Sequence, residues 1–134
     1  MRNQTTIRNP VSYSGVGLHT GNKTTITFTP APPDTGAVFV RTDVPERPRI
    51  RADVNHVTDV ARGTTIGING VKILTIEHVL AAFAGLGIDN IYCEVDANEP
   101  PVGDGSAIPF VNVLGEAGIV EQERPRKEAR VLSP

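Results

Sequence analysis

No tryptophan occurs among the 134 residues, and Phe and Tyr together make up only 4% of them. Single-stranded nucleic acid is commonly held by bases stacked on successive aromatic rings, and no such series is present. Positive charge is scarce too, with 13 Lys and Arg scattered against 15 Asp and Glu for a net charge of −2. A protein that neutralises several phosphates shows a basic face, so nucleic acid is not an expected partner. The single cysteine, Cys93, lies in the apolar run NIYCEV. It can form no internal disulfide and reads as a small buried hydrophobe. No run reaches the roughly 18–20 apolar residues of a membrane span, and MRNQTTIRNP contains no apolar signal core. Together these absences point to a cytoplasmic globular protein without an integral membrane segment.

What is present is enough apolar residue, 39%, to build one modest core. Up to about residue 74 the chain is β-rich. KTTITFTP (23–30) alternates and ends at proline, as a half-buried strand should, and GAVFVRTD (36–43) reads as its hairpin partner across the turn APPDTG. IRADVNHV (50–57), GTTIGI (63–68) and VKIL (71–74) are further strands, the last two joined by Asn69-Gly70, a strong two-residue hairpin signal. The period then changes. Ile76, Val79, Leu80 and Phe83 recur at helical spacing, with Thr75 expected as N-cap and Gly85 and Gly87 as stops. DNIYCEVDA (89–97) is a strand, NEPPVGDGSAIP a loop, and PFVNVLGEAG (109–118) a second helix opened by proline. The charged EQERPRKEARVLSP reads as a linker.

Three places carry polar groups suited to chemistry. At the start of the first helix, Glu77 and His78 stand side by side. On a helical projection His78 points away from the apolar stripe, and its face is lined by the small residues Ala81, Ala82 and Gly85. That face suits the approach of a ligand or another backbone. A carboxylate at a helix N-terminus also suits the helix dipole, and an exposed histidine needs no task, so pattern alone leaves both readings open. The H-E-x-x-H zinc motif is excluded because position 82 is Ala. In SGVGLHTGN (14–22) glycines either form a tight turn or hold His19 at the edge of a site. In GDGSAIPF (103–110) Asp104 and Ser106 either brace the turn before the second helix or support a site near His78. His19, His56 and His78 are the only histidines, and no spacing says whether they meet.

In this order and at these separations, SGVGLHTG, VRTD, TIEHVLAAFAGLGIDN and DGSAIPFV resemble the UDP-3-O-acyl-N-acetylglucosamine deacetylases, zinc amidohydrolases of lipid A synthesis in Gram-negative bacteria. The likeness runs from about Thr5 to Ile119. It implies an α+β fold, a two-layer sandwich of a β-sheet against two helices, with a small β insert at about 42–68 edging the active site. Residues 1–120 would be the amino-terminal domain of the enzyme, and 121–134 a linker and the start of a missing second domain. By the same resemblance His78 is a Zn2+ ligand, Glu77 the general base, His19 a residue lining the active site, and Asp104 a supporting group.

Family members bring their other zinc ligands from an H-x-x-x-D motif in the second domain, and neither His19 nor His56 has an Asp four residues on. The expected partners are therefore the UDP-3-O-acyl-N-acetylglucosamine substrate and the absent carboxy-terminal domain. This chain alone is expected to be inactive. VARGTTIGING resembles versions fused to a hydroxyacyl-carrier-protein dehydratase. The competing reading is a non-catalytic binding module, because the same two-layer shape occurs in ribosomal domains and fold does not fix function.

Overall fold

Alternation of apolar and polar residues builds the central sheet. The computed structural model describes residues 2–133. Five strands, β2 (Val11–Val16), β3 (Lys23–Pro30), β4 (Ala37–Arg41), β5 (Arg49–Arg51) and β9 (Ile91–Val95), lie in the order β2-β3-β9-β4-β5. Register places Val11, Phe28, Cys93, Phe39 and Ile50 opposite one another, an apolar row that crosses all five strands. Phe28, Cys93, Phe39 and Ile50 are each 0% exposed. Because side chains alternate in direction along a strand, the other face is polar. Ser12 and Ser14 there hydrogen-bond Thr27 and Thr25 across the β2–β3 pair, at 2.9 and 2.7 Å.

Two helices cover the apolar face. In α1 (Glu77–Leu86) Phe83 meets Phe28 edge-on at 5.8 Å between ring centroids, and in α2 (Ile108–Ala117) Phe110 meets Phe28 at 6.3 Å and Tyr13 at 5.5 Å. This is the two-layer α+β sandwich expected. The small insert, expected at about 42–68, is a second, three-stranded sheet of β6 (Val57–Asp59), β7 (Thr65–Ile68) and β8 (Val71–Ile73), later in the chain than expected because β5 belongs to the main sheet. Asn69 and Gly70 join β7 to β8 with φ of 51° and 81°, as a type I′ hairpin turn requires.

The structure departs from the sequence reading in several places. β3 and β4 are not a hairpin, because β9 lies between them, antiparallel to β3 and parallel to β4. The run 50–57 is not one strand: β5 joins the main sheet, residues Val54–His56 form a 3-10 turn, and β6 begins the insert. Residues at the supposed linker include β10 (Ile119–Pro125), which pairs antiparallel with β1 (Asn3–Ile7). Gln122 on β10 accepts a hydrogen bond from the buried Asn90 and donates to the Ala31 carbonyl, both at 2.8 Å, so this ribbon is stitched to the main layer. Finally, Ala82 is not on an open face around His78 but 1% exposed in the core, although Ala81 and Gly85 are exposed. Among the described residues no helix is long and apolar enough to cross a membrane.

Candidate active site

Three loops converge near the start of α1, where Glu77 and His78 lie, and one of them carries His19. The first loop joins β2 to β3, and its backbone closes on itself through Gly17 N–H to the Asn22 carbonyl at 3.0 Å and Gly21 N–H to the Gly17 carbonyl at 3.1 Å. His19 stands at its tip with 31% of the side chain exposed. The second loop follows β9 and carries Glu99, which is 1% exposed. The third is the segment 74–76 leading into α1.

Glu99 ties the three together. Its Oε1 accepts the backbone N–H of His19 at 2.9 Å and that of Thr20 at 3.2 Å, with the Thr20 hydroxyl at 3.3 Å. Its Oε2 lies 2.9 Å from His19 Nδ1 and accepts the Thr75 hydroxyl at 2.5 Å. Burial is the largest influence on this carboxyl and raises its pKa. The bonds from Thr75, His19 and the two amides together outweigh it, so the group is held below the ordinary value and is a carboxylate at neutral pH. Gly17 is the space this arrangement needs, since a Cβ there would collide with the Glu99 carboxylate and lie 2.6 Å from the Thr20 hydroxyl. Sequence reasoning passed over Glu99. The available signal was an acidic residue just before Pro100-Pro101, in a loop rigid enough to bury it.

Thr75 does not cap the helix as expected. No side chain caps α1, whose first flanking residue is Ile76. The Thr75 hydroxyl is instead spent on Glu99, and its backbone has φ 58°, a left-handed conformation that a β-branched residue rarely adopts. Its neighbours hold it there: Leu74 N–H donates to the Asn98 carbonyl at 2.8 Å, and Ile76 N–H to the Thr64 carbonyl at 3.2 Å. Strain of this kind persists only where the surroundings over-determine it.

Glu77 and His78 open α1, and both are half-buried. Glu77 Oε1 accepts the Thr64 amide at 3.1 Å, while a Cβ at Gly63 would lie 3.0 Å from its Oε2, so the insert loop lies directly against this carboxylate. A cavity of about 380 Å³ is walled by His19, Thr75 and Leu74 and by Ala61, Arg62 and Gly63 of the insert, and Gly63 is the wall residue that lies against Glu77. Asp104 is exposed and braces its own turn. It accepts the amide and hydroxyl of Ser106 at 2.9 and 2.6 Å, and the Ser106 oxygen in turn accepts the amide of Ile108, the first residue of α2, at 3.1 Å. The Ser106 bonds hold the Asp104 carboxyl below the usual carboxylate range, and His78 is near enough to lower it slightly further. His56 does not join the site: its Nδ1 is 2.6 Å from Asp53 within the insert. Among the described residues no group of three His, Cys, Asp or Glu is placed to hold a metal ion.

Fold and site together define a two-layer α+β protein in which an insert loop, a glycine loop and the segment leading into α1 line a cleft, with Glu77 at the start of α1 held against the insert loop. The family model described as UDP-3-O-acyl N-acetylglycosamine deacetylase matches residues 4–134, and the chain belongs to that family. A UDP-3-O-acyl-N-acetylglucosamine deacetylase of Chromohalobacter salexigens is 48% identical over 131 residues, which is 98% of this chain and 43% of that protein. The deacetylase of Thioalkalivibrio sulfidiphilus is 49% identical over the same shares of each chain. A protein of Chlorobaculum tepidum named bifunctional enzyme LpxC/FabZ is 56% identical over 123 residues, 92% of this chain and 26% of that protein. The chain thus spans well under half the length of these relatives.

Proposed function

We propose that this chain supplies the Glu77–His78 part of a zinc-dependent deacetylase centre that removes acetate from UDP-3-O-acyl-N-acetylglucosamine in the cytoplasm, within lipid A biosynthesis. The observation that carries the reading is the Glu–His pair at the start of α1, with Glu77 held by the insert loop, in a chain of this deacetylase family. His78 suits one position of a metal site, and the remaining ligands would come from a further domain. On this reading the 134-residue chain alone turns over no substrate. Zinc, when bound, polarises the scissile carbonyl and makes a water more acidic.

The chain's own residues have distinct tasks. Glu77 is the general base that takes a proton from the attacking water. Its Oε1 is anchored by the Thr64 amide, which leaves Oε2 to receive that proton. Successive helical residues project about 100° apart, so Glu77 and His78 address one point from different directions. His19 presents its ring to the cavity as a polar group for substrate. Asp104 supports His78 by its charge.

Acetate release by the full-length protein tests the assignment. Glu77→Gln is expected to lower kcat by about 10²–10⁴-fold with zinc content unchanged, the range for loss of a general base. Near-native turnover by this variant would remove Glu77 from that role. His78→Ala is expected to lose zinc, and a variant that kept it would overturn the ligand assignment.

A further inference from the structure

The roles proposed above leave without a task the most deeply buried carboxylate among the described residues. Glu99 is 1% exposed, yet among the described residues no Lys or Arg pairs with it; its partners are two amides, two hydroxyls and one imidazole nitrogen. A buried carboxylate satisfied only by such donors costs desolvation that a neutral side chain would avoid. What the charge does here is select among states of a neighbour. Thr75 has one hydroxyl proton, and it points to Glu99 Oε2 at 2.5 Å, so the Thr75 oxygen faces His19 Nδ1, 3.0 Å away, as an acceptor. Glu99 Oε2 faces the same nitrogen at 2.9 Å, also as an acceptor. Two acceptors and no donor surround Nδ1, so Nδ1 carries the proton and Nε2 of the neutral ring keeps its lone pair.

We propose that Glu99 is a positioning residue of the active centre, which holds His19 as the Nδ1–H tautomer with Nε2 available to substrate and, through Thr75, couples that ring to the start of α1. Its catalytic consequence rests on the deacetylase reading above; the tautomer does not. The coupling is physical and short. One carboxylate fixes the backbone of the His19 loop through two amides, the ring through Nδ1, and the left-handed residue two positions before Glu77 through its hydroxyl. A change at Glu99 therefore reaches both the glycine loop and the helix start.

The test is long-range proton–nitrogen NMR of the 134-residue chain labelled at histidine, recorded at a pH where the ring is neutral. Wild-type His19 is expected to show a protonated Nδ1 and an unprotonated Nε2. In Glu99→Gln the amide of the new side chain places a donor against Nδ1, and the tautomer is expected to reverse. In Thr75→Val the carboxylate remains, and the Nδ1–H form is expected to persist. An Nε2–H form in the wild type, or an unchanged tautomer in a folded Glu99→Gln, would overturn the proposal. Should Glu99→Gln not fold, the wild-type tautomer still decides. In the full-length protein, Glu99→Gln is expected to lower kcat by about 10–100-fold, the usual cost of losing a supporting hydrogen bond, with KM little changed. A KM rise with kcat intact would overturn the positioning role, whereas a wild-type enzyme without deacetylase activity would fault the functional reading and leave the tautomer result standing.

Discussion

Glu99 and its three loops show how one side chain can be structural and functional at once. Its folded pKa is depressed, so the stability it contributes is fully present above its ordinary value of 4.5 and is lost as pH falls through the lower folded value. Denaturant midpoints measured from pH 6 downward should therefore fall steeply below about 4.5 in the wild type. In Glu99→Gln the midpoint should already be lower at pH 6, with a shallower decline below it. Equal slopes in the two proteins would show that Glu99 is not depressed. At this scale the sequence named His19, Glu77, His78 and Asp104, because histidines beside glycines or carboxylates are visible as text. Glu99 escaped notice because its five donors come from positions 19, 20 and 75, and only folding brings those to residue 99.

Elements with local signals formed where the pattern placed them, and the strand partners they took, often remote in sequence, did not follow from it. The Asn69-Gly70 turn is set by the φ > 0 that both residues accept, and it holds in the fold. Gly87 ends α1 with φ 71° and ψ 34°, its amide closing on the carbonyls of Phe83 and Ala84. An alanine there would incur left-handed strain and bring its Cβ to 2.9 Å from the Arg2 guanidinium. Gly87→Ala is expected to cost about 1–2 kcal/mol, read as a lower urea midpoint with an unchanged slope. The start of the same helix was less legible. Thr75 has the residue type of an N-cap, but the fold turns its hydroxyl toward Glu99 and His19, so its oxygen accepts no amide of α1. β10 was missed for a different reason. Its side chains are largely exposed charges, so the ribbon with β1 leaves almost no hydrophobic alternation to read.

Across the whole molecule, the row from Val11 to Ile50 and the ring cluster of Phe28, Phe83 and Phe110 hold sheet and helices together. Phe28 sits in both, 0% exposed. Phe28→Ala should cost about 3–5 kcal/mol, a large share of the roughly 5–15 kcal/mol typical of a domain. Calorimetry or urea unfolding would measure it, and a loss below about 1 kcal/mol would mean the cluster repacks. Period-two alternation, helical spacing and turn chemistry by themselves determined where most strands and both helices lie, and that a Glu–His pair opens α1. Such signals are carried by neighbours a few residues apart. Tertiary structure alone decided that β9 separates β3 from β4, that β10 returns to β1, and that a buried carboxylate orients His19. Alternation states which face of a strand is apolar but not which strand lies beside it, and a hydrogen bond across 80 residues exists only once the core has closed.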